Sequence, residues 1–363
     1  MDAEIETGDT LTRTEAPRSV RLKAFVRLGR PRFLLQSAAA LGLGMLAADH
    51  DGHPLSLGWY AVGIALAWTS HLMVHYCNEY FDLPADRANS SHTEWTGGSR
   101  VLVEGLVKPE TSLSSAFVLV FAAFFIISAV PDVVVREFVV LLLALAWFYT
   151  APPFRLNYHG LGELTSGICL YGLVPILSYY FYAGSVSALV LSIVIPILCV
   201  QVLRQFIMNL SDIEGDRKTN KRTAAVVLGP NRIVRLYTGG QVLCYLGLAV
   251  LGIVGTLPLP VTVAMLLTAA LPVWVSWKLL TGGMEKPSVA NRITFLASIQ
   301  LPSMVCAAMT GLVIHTLLDE QQPVWNNGLT VYAITMAIYL IWVSGLIFGA
   351  SPAAGATKDE QAS

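Results

Sequence analysis

The chain has 363 residues, of which 55% are hydrophobic and 13% charged, with a mean hydropathy of +0.61. Soluble domains carry about 25% charged residues, so this composition excludes an ordinary water-soluble globule and implies a protein built for lipid. The net charge of −1 says little as a sum; the positions of the charges carry the information, and no nucleic-acid partner is expected.

The polar N-terminal stretch of about 32 residues is acidic first and basic later. It has no short apolar core ahead of a small-residue cleavage site, so a cleaved signal peptide is not expected. Its early Asp and Glu residues argue against an organellar transit peptide. Residues 1–24 read as a disordered cytoplasmic arm. From there on, apolar stretches near the roughly 20 residues that cross a bilayer recur. They are predicted at 33–49, 56–79, 112–130, 136–151, 163–183, 186–209, 232–255, 258–280, 291–317 and 328–349. Two of them, 33–49 and 136–151, are short. Breakers mark the joints: Asp51-Gly52-His53-Pro54, Pro131-Asp132, Ala183-Gly184-Ser185 and Leu257-Pro258. The expected fold is therefore all-α, a polytopic transmembrane bundle of nine to ten helices. Residues 25–317 form the main domain, 318–350 an additional C-terminal helix, and 351–363 a disordered tail. Cys77, Cys169, Cys199, Cys244 and Cys306 sit in apolar segments without C-x-x-C spacing and read as small buried hydrophobes.

Charge asymmetry orients the bundle. With the N-terminus inside, Arg21, Lys23, Arg27, Arg30, Arg32, Arg87, Arg100, Lys108 and Arg155 fall on the inner side. So do Arg217, Lys218, Lys221, Arg222, Arg232, Lys278, Lys286 and Arg292. Arg136 is the lone cation of the outer joints, which hold Asp49, Asp51, Asp132, Asp319 and Glu320. Two inner loops, roughly 80–111 and 210–231, are long, and long loops in a compact bundle are usually functional. The expected location is the cell membrane, with the N-terminus and both loops cytoplasmic.

Each long loop opens on an acidic run. The first reads Asn78-Glu79-Tyr80-Phe81-Asp82-Leu83-Pro84-Ala85-Asp86, and the second Asn209-Leu210-Ser211-Asp212-Ile213-Glu214-Gly215-Asp216. Asp82 and Asp86, like Asp212 and Asp216, are four apart and would project from one helix face. One such run could simply cap or solvate a helix end. Two on one side of the membrane, each followed by cations, would repel one another without a bound cation, and that cation would invite an anion. Carboxylate oxygens facing each other suit Mg²⁺ held against a diphosphate. The basic partners are Arg100, after Gly97 and Gly98, and Lys218, Lys221 and Arg222; glycines there would let backbone amides approach a phosphate. Arg204 lies inside an apolar span, where a charge is costly and normally faces a partner. It is expected to neutralise an Asp or touch the diphosphate. The segment Tyr149 to Glu163, rich in Pro, Gly and aromatics, reads as a rigid loop bordering the pocket. His159 there reads as structural, and Tyr179, Tyr180 and Phe181 as packing or an interfacial belt.

These residues resemble the UbiA superfamily of intramembrane prenyltransferases over roughly 25–315. The resemblance rests on Asn78-x-x-x-Asp82-x-x-x-Asp86, on Asp212-x-x-x-Asp216, and on Arg27 to Arg32 ahead of the first span. Arg30-Pro31-Arg32, the Tyr149 to Glu163 loop, and Asn209 with Asp212 look closest to the MenA-like branch, which prenylates 1,4-dihydroxy-2-naphthoate. Two departures are Glu79, where many members have Asp, and Ser211, where MenA-like members usually carry Arg. The resemblance implies Mg²⁺ on Asn78, Asp82, Asp86, Asp212 and Asp216. It also implies a diphosphate gripped with the help of Arg27, Arg32, Arg100, Arg204, Asn209, Lys218 and Lys221. The donor would be an allylic prenyl diphosphate and the acceptor an aromatic ring against Tyr149 and Arg155, with lipid around the bundle. A terpene cyclase of the same superfamily would carry the same site. An ion-coupled transporter would instead place ionisable groups near the bilayer midplane.

Overall fold

The computed structural model describes residues 17–319 and 325–348. Among these the chain is helical, with no strand. Eight helical spans among the described residues, two of them made of consecutive shorter helices, are long and apolar enough to cross a membrane. The first helix, α1 (Arg18–Leu28), was not expected, because its residues lie in a stretch read as polar tail. It forms because Pro17 precedes a run of good helix formers, and because Ala24 and Leu28 are buried and Phe25 stacks on Tyr76 at 5.1 Å. Residues 1–16 and 351–363, read as tails, lie outside the described residues.

The spans follow in the predicted order: α2 (Leu34–His50), α3 (Leu57–Phe81), α5 (Pro109–Ser128) and α6 (Val133–Trp147), with the short α4 (Leu83–Ala88) after α3. Next come α7 (Gly162–Gly167), a π-helical turn at Ile168–Leu173 and α8 (Val174–Ala183), which together make one 22-residue span. Pro175 lacks the N–H that Tyr171 would otherwise receive, and the widened turn just before it absorbs that loss. Helix α9 (Ala188–Met208) leads into two short helices, α10 (Ile213–Lys218) and α11 (Ala224–Leu228). Helix α12 (Pro230–Val254) crosses back. The predicted span 258–280 divides into α13 (Leu259–Leu267) and α14 (Ala270–Leu280), because Pro272 cannot donate to the Thr268 carbonyl. Helix α15 (Pro287–Asp319) and the additional α16 (Asn327–Phe348) complete the bundle. Of the ten predicted spans, α2 and α6 are the short pair, at 17 and 15 residues.

Large apolar side chains on α5, α12 and α13 point outward, among them Phe125, Leu243, Ile253 and Leu267. In water that surface would be a liability; against lipid it is the solvated face. The inner faces pack as three apolar clusters. One joins α2, α8, α9, α13 and α15; one joins α1, α3, α5 and α6; the third gathers Phe33, Trp95, Ile207, Tyr237 and Ile293 near the acidic end. A cavity of about 390 Å³ remains, walled by α2, α3, α6, α8 and α9.

Candidate active site

Both acidic runs are built the same way. A long helix ends near an Asn, the chain breaks, and an Asp starts a short new helix. Asp82 directly precedes α4, and its own N–H still donates to the Asn78 carbonyl at 2.8 Å. Pro84 in the first turn of α4 is tolerated because N–H groups there have no intrahelical partner. Asp212 precedes α10 in the same manner, and Asp86 and Asp216 follow one turn later. Each four-residue spacing therefore does put two carboxylates on one helical turn.

The two short helices pack against each other. A Cβ on Gly215 would lie 2.7 Å from the Ala85 carbonyl oxygen and 2.9 Å from Asn89 Cβ, so α10 approaches α4 as closely as it does because position 215 has no side chain. Asn89 Nδ2 donates to Asp212 Oδ1 at 2.7 Å, and Ser90 donates to Glu214 at 2.9 Å. Thr96 and Ser211 hydroxyls pair at 2.8 Å. The Gly97-Gly98 turn folds over the first run. Gly98 has φ +73°, and a Cβ there would fall 2.2 Å from an Asp86 carboxylate oxygen. Ser99 holds Glu79 with its N–H at 2.6 Å and its hydroxyl at 2.7 Å.

Asn78, Asp82, Asp86, Asp212 and Asp216 all line this cavity, together with Tyr149, Arg204, Asn209 and Lys221. Lys221 joins the two runs, its Nζ lying 3.3 Å from Asp82 Oδ2 and 3.4 Å from Asp216 Oδ1. Burial disfavours its charge, but the Asp82 and Asp216 carboxylates outweigh that and hold its pKa well above the ordinary lysine value. Burial, then the charges of Asp82 and Glu79, push Asp86 well above the usual carboxylate range. Asp212 is pushed up to about 7 by burial and by Asp216, with Lys221 and the Asn89 hydrogen bond acting against the rise. Burial is also the main cause of the upward shift at Asp216. Asp82 Oδ1 is buried without a hydrogen-bond partner. Among the described residues, no three His, Cys, Asp or Glu side chains already stand in metal-binding geometry. The crowded, partly orphaned carboxylate oxygens nonetheless form the hard donor set that Mg²⁺ takes.

Other residues singled out from the sequence lie elsewhere. Arg27 pairs with Glu104 on the exposed surface, and Lys218 pairs with Glu214, its neighbour one turn back. Arg32 donates to the Glu94 carbonyl and lies over the Trp95 ring, while Arg100 donates to the backbone carbonyl of Asp86. Arg155 stacks on Tyr158 at 4.3 Å. None of these five lines the cavity. Arg204 does, yet it meets no carboxylate among the described residues. Its guanidinium donates to Ser298 Oγ at 3.3 Å, and its Nε is buried without a partner. Asn209 donates to Glu163 at 2.8 Å, and Glu163 also accepts from the Ala224 N–H at 2.8 Å, tying the second run to α7 and α11.

Several cavity residues were not among the site residues read from the sequence. Arg30 is turned inward by a left-handed backbone (φ +49°), which no spacing rule foretells. His71 and His75 are one turn apart on α3 and so share a face, the one available hint; His75 bonds the Gly29 carbonyl at 2.6 Å. Phe181 and Tyr182 face the cavity's far end, so the reading of Phe181 as belt or packing gives way to a lining position.

The family model of the UbiA prenyltransferase family matches residues 37–299, well over half of the chain. The chain belongs to the UbiA prenyltransferase family. Over 232 residues it is 25% identical to 1,4-dihydroxy-2-naphthoate octaprenyltransferase of Bacillus subtilis (strain 168), covering 63% of this chain and 73% of that protein. The apo structure of a UbiA homolog from Aeropyrum pernix K1 is similar in fold, with TM-score 0.60 and 18% identity over 77% of this chain and 98% of that one. A UbiA homolog from Archaeoglobus fulgidus bound to GPP and Mg²⁺ is similar with TM-score 0.51 and 14% identity, over 88% and 97% of the two chains. Membership in the UbiA family makes the chain a membrane-embedded prenyltransferase.

Proposed function

We propose that the protein uses Mg²⁺ to ionise an allylic prenyl diphosphate and joins the isoprenoid chain to an aromatic acceptor. The observation that supports this most is the pair of Asp-led short helices meeting at one mouth of a cavity whose far part is lined mainly by apolar side chains. Mg²⁺ held by Asn78, Asp82, Asp86, Asp212 and Asp216 would supply the positive charge that stabilises a departing diphosphate. Mg²⁺ beside GPP in the Archaeoglobus fulgidus homolog supports that assignment.

The chain's own residues do the rest. Lys221 and Arg30 bring fixed cations to the acidic mouth, where charge develops on the leaving group. Thr150 donates to Asn78 Oδ1 at 2.7 Å and Asn89 donates to Asp212, so both ligand sets are oriented before substrate arrives. The apolar walls exclude water that would quench an allylic cation. An electron-rich ring carbon attacks the allylic cation left when the C–O bond to diphosphate breaks, and the ring regains aromaticity by losing a proton or its carboxylate as CO₂, so no protein nucleophile is required. Arg204, buried and with no anionic partner among the described residues, is suited to receive an anionic substituent of the acceptor. The naphthoate substrate named for the Bacillus subtilis relative is of that kind. The excess of Arg and Lys at the acidic end supports a cytoplasmic location for that mouth, in the cell membrane.

Purified protein incubated with Mg²⁺ and geranyl diphosphate, with and without 1,4-dihydroxy-2-naphthoate, tests this reading. A prenylated naphthol and stoichiometric diphosphate are expected when both substrates are present. A terpene hydrocarbon or alcohol formed at the same rate without acceptor would replace the transferase reading with a cyclase.

A further inference from the structure

The cavity runs on from the carboxylate mouth along α3. Asn78, His75, His71, Ala67, Gly63 and Trp59 all face it, at the three- and four-residue steps that make one stripe of a helix. From Asn78 to Trp59 the stripe covers nineteen residues, about 28 Å at the helical rise of about 1.5 Å per residue. Below the histidines its walls are mainly apolar, with Leu41, Leu66, Val139 and Leu177 among them.

Three rings meet at the far end. Trp59 meets Phe181 edge to face at 5.3 Å, and Phe181 meets Tyr182 in the same way at 5.1 Å. Tyr182 donates to the Ser56 carbonyl at 3.3 Å, anchoring this plate to the residue that caps α3. All three aromatic side chains line the cavity. Edge-to-face contacts and a tethered hydroxyl make such a plate stiffer than an aliphatic end would be.

We infer that the Trp59–Phe181–Tyr182 plate is the ruler that sets the longest isoprenoid donor the enzyme accepts. This rests on the prenyl diphosphate reading of the carboxylate mouth. An extended isoprene unit has four main-chain bonds of about 1.5 Å and advances about 5 Å, so about 28 Å holds five to six units beyond the diphosphate. Longer donors must bend back or displace the plate. Ala67 lies eleven residues from Asn78, or about 16 Å; a large side chain there leaves room for about three units.

The experiment measures kcat/KM for Mg²⁺-dependent diphosphate release across donors of one to nine isoprene units, with one acceptor, in detergent. For the wild type, kcat/KM is expected to fall at least tenfold beyond six units. In Trp59→Ala and Phe181→Ala the ratio of nine-unit to three-unit donors should rise at least tenfold. In Ala67→Phe the ratio of five-unit to two-unit donors should fall at least tenfold. The Ala67 variant removes no packing and so keeps the test valid if the truncated plate variants fail to fold. A flat wild-type length profile, or ratios that stay within twofold in the variants, overturns the ruler and means that the tail leaves the bundle sideways. Release from the one-unit donor involves nothing beyond the last turns of α3, beside Asn78. Its absence in the wild type would refute the site reading instead.

Discussion

Replacing Lys221 by Met keeps the length of the side chain and removes the cation that touches both acidic runs. At 3.3 and 3.4 Å, each contact is worth about 5 kcal/mol of Coulomb attraction at an effective dielectric of about 20. The lysine's own desolvation returns several kcal/mol of that. Breaking a buried pair from one side typically costs about 3–5 kcal/mol, since the remaining charges stay buried without compensation. Without added metal at pH 7.5, Lys221→Met should therefore lower Tm by roughly 5–10 °C. Saturating Mg²⁺ should close most of that gap, because a divalent ion between the runs replaces the lost ammonium. The gap should also narrow at pH 5, where Asp86, Asp212 and Asp216, all shifted upward, are protonated more fully. Thermal unfolding in detergent, with and without Mg²⁺, reads all of these effects. A variant as stable as the wild type without metal, or a gap that Mg²⁺ leaves unchanged, would refute the view that one cation site binds the two runs together.

Two further outcomes follow from the same geometry. Gly215→Val puts branched carbon into the contact with Ala85 and Asn89, so α10 must retreat from α4. A cost of about 1–3 kcal/mol is expected, together with a loss of turnover far larger than that stability change explains, measured as Tm against diphosphate release. Asp212 has its pKa raised from 3.8 to about 7, so between those values the metal-free folded protein holds a proton that the unfolded chain has lost. Stability of the metal-free protein should fall as pH rises through that window. Mg²⁺ must displace the proton, so its affinity should rise from pH 5.5 to 7.5; calorimetric titration in two buffers of different ionisation heat would show proton release on binding.

Much of this protein was legible before any coordinates. The spans could be read because roughly twenty-residue apolar stretches, punctuated by Pro and Gly, leave the backbone no other way to satisfy its hydrogen bonds in lipid. The acidic runs were legible as local objects because their spacing is a helical property. What no local pattern discloses is who meets whom. Asn89 and Asp212 are 123 residues apart, and nothing near either one says that they bond. Lys221 was one of several loop cations of equal standing. Only the folded chain separates it, bridging Asp82 and Asp216, from Lys218, which pairs with exposed Glu214. Arg204 was expected beside an Asp or the diphosphate because a buried charge seeks its opposite; among the described residues it meets no carboxylate and bonds Ser298, which leaves its charge for a ligand. The break between α13 and α14 and the π-helical turn before Pro175 each follow from a proline that hydropathy alone does not register as a break.

The central claim is that both acidic runs serve one metal–diphosphate site, and Mn²⁺ binding followed by electron paramagnetic resonance tests it most directly. Wild-type protein should bind Mn²⁺ more tightly when inorganic diphosphate is present, and both Asp82→Asn and Asp212→Asn should lose that diphosphate-dependent binding. If either variant binds Mn²⁺ and diphosphate as the wild type does, the two runs do not share a site.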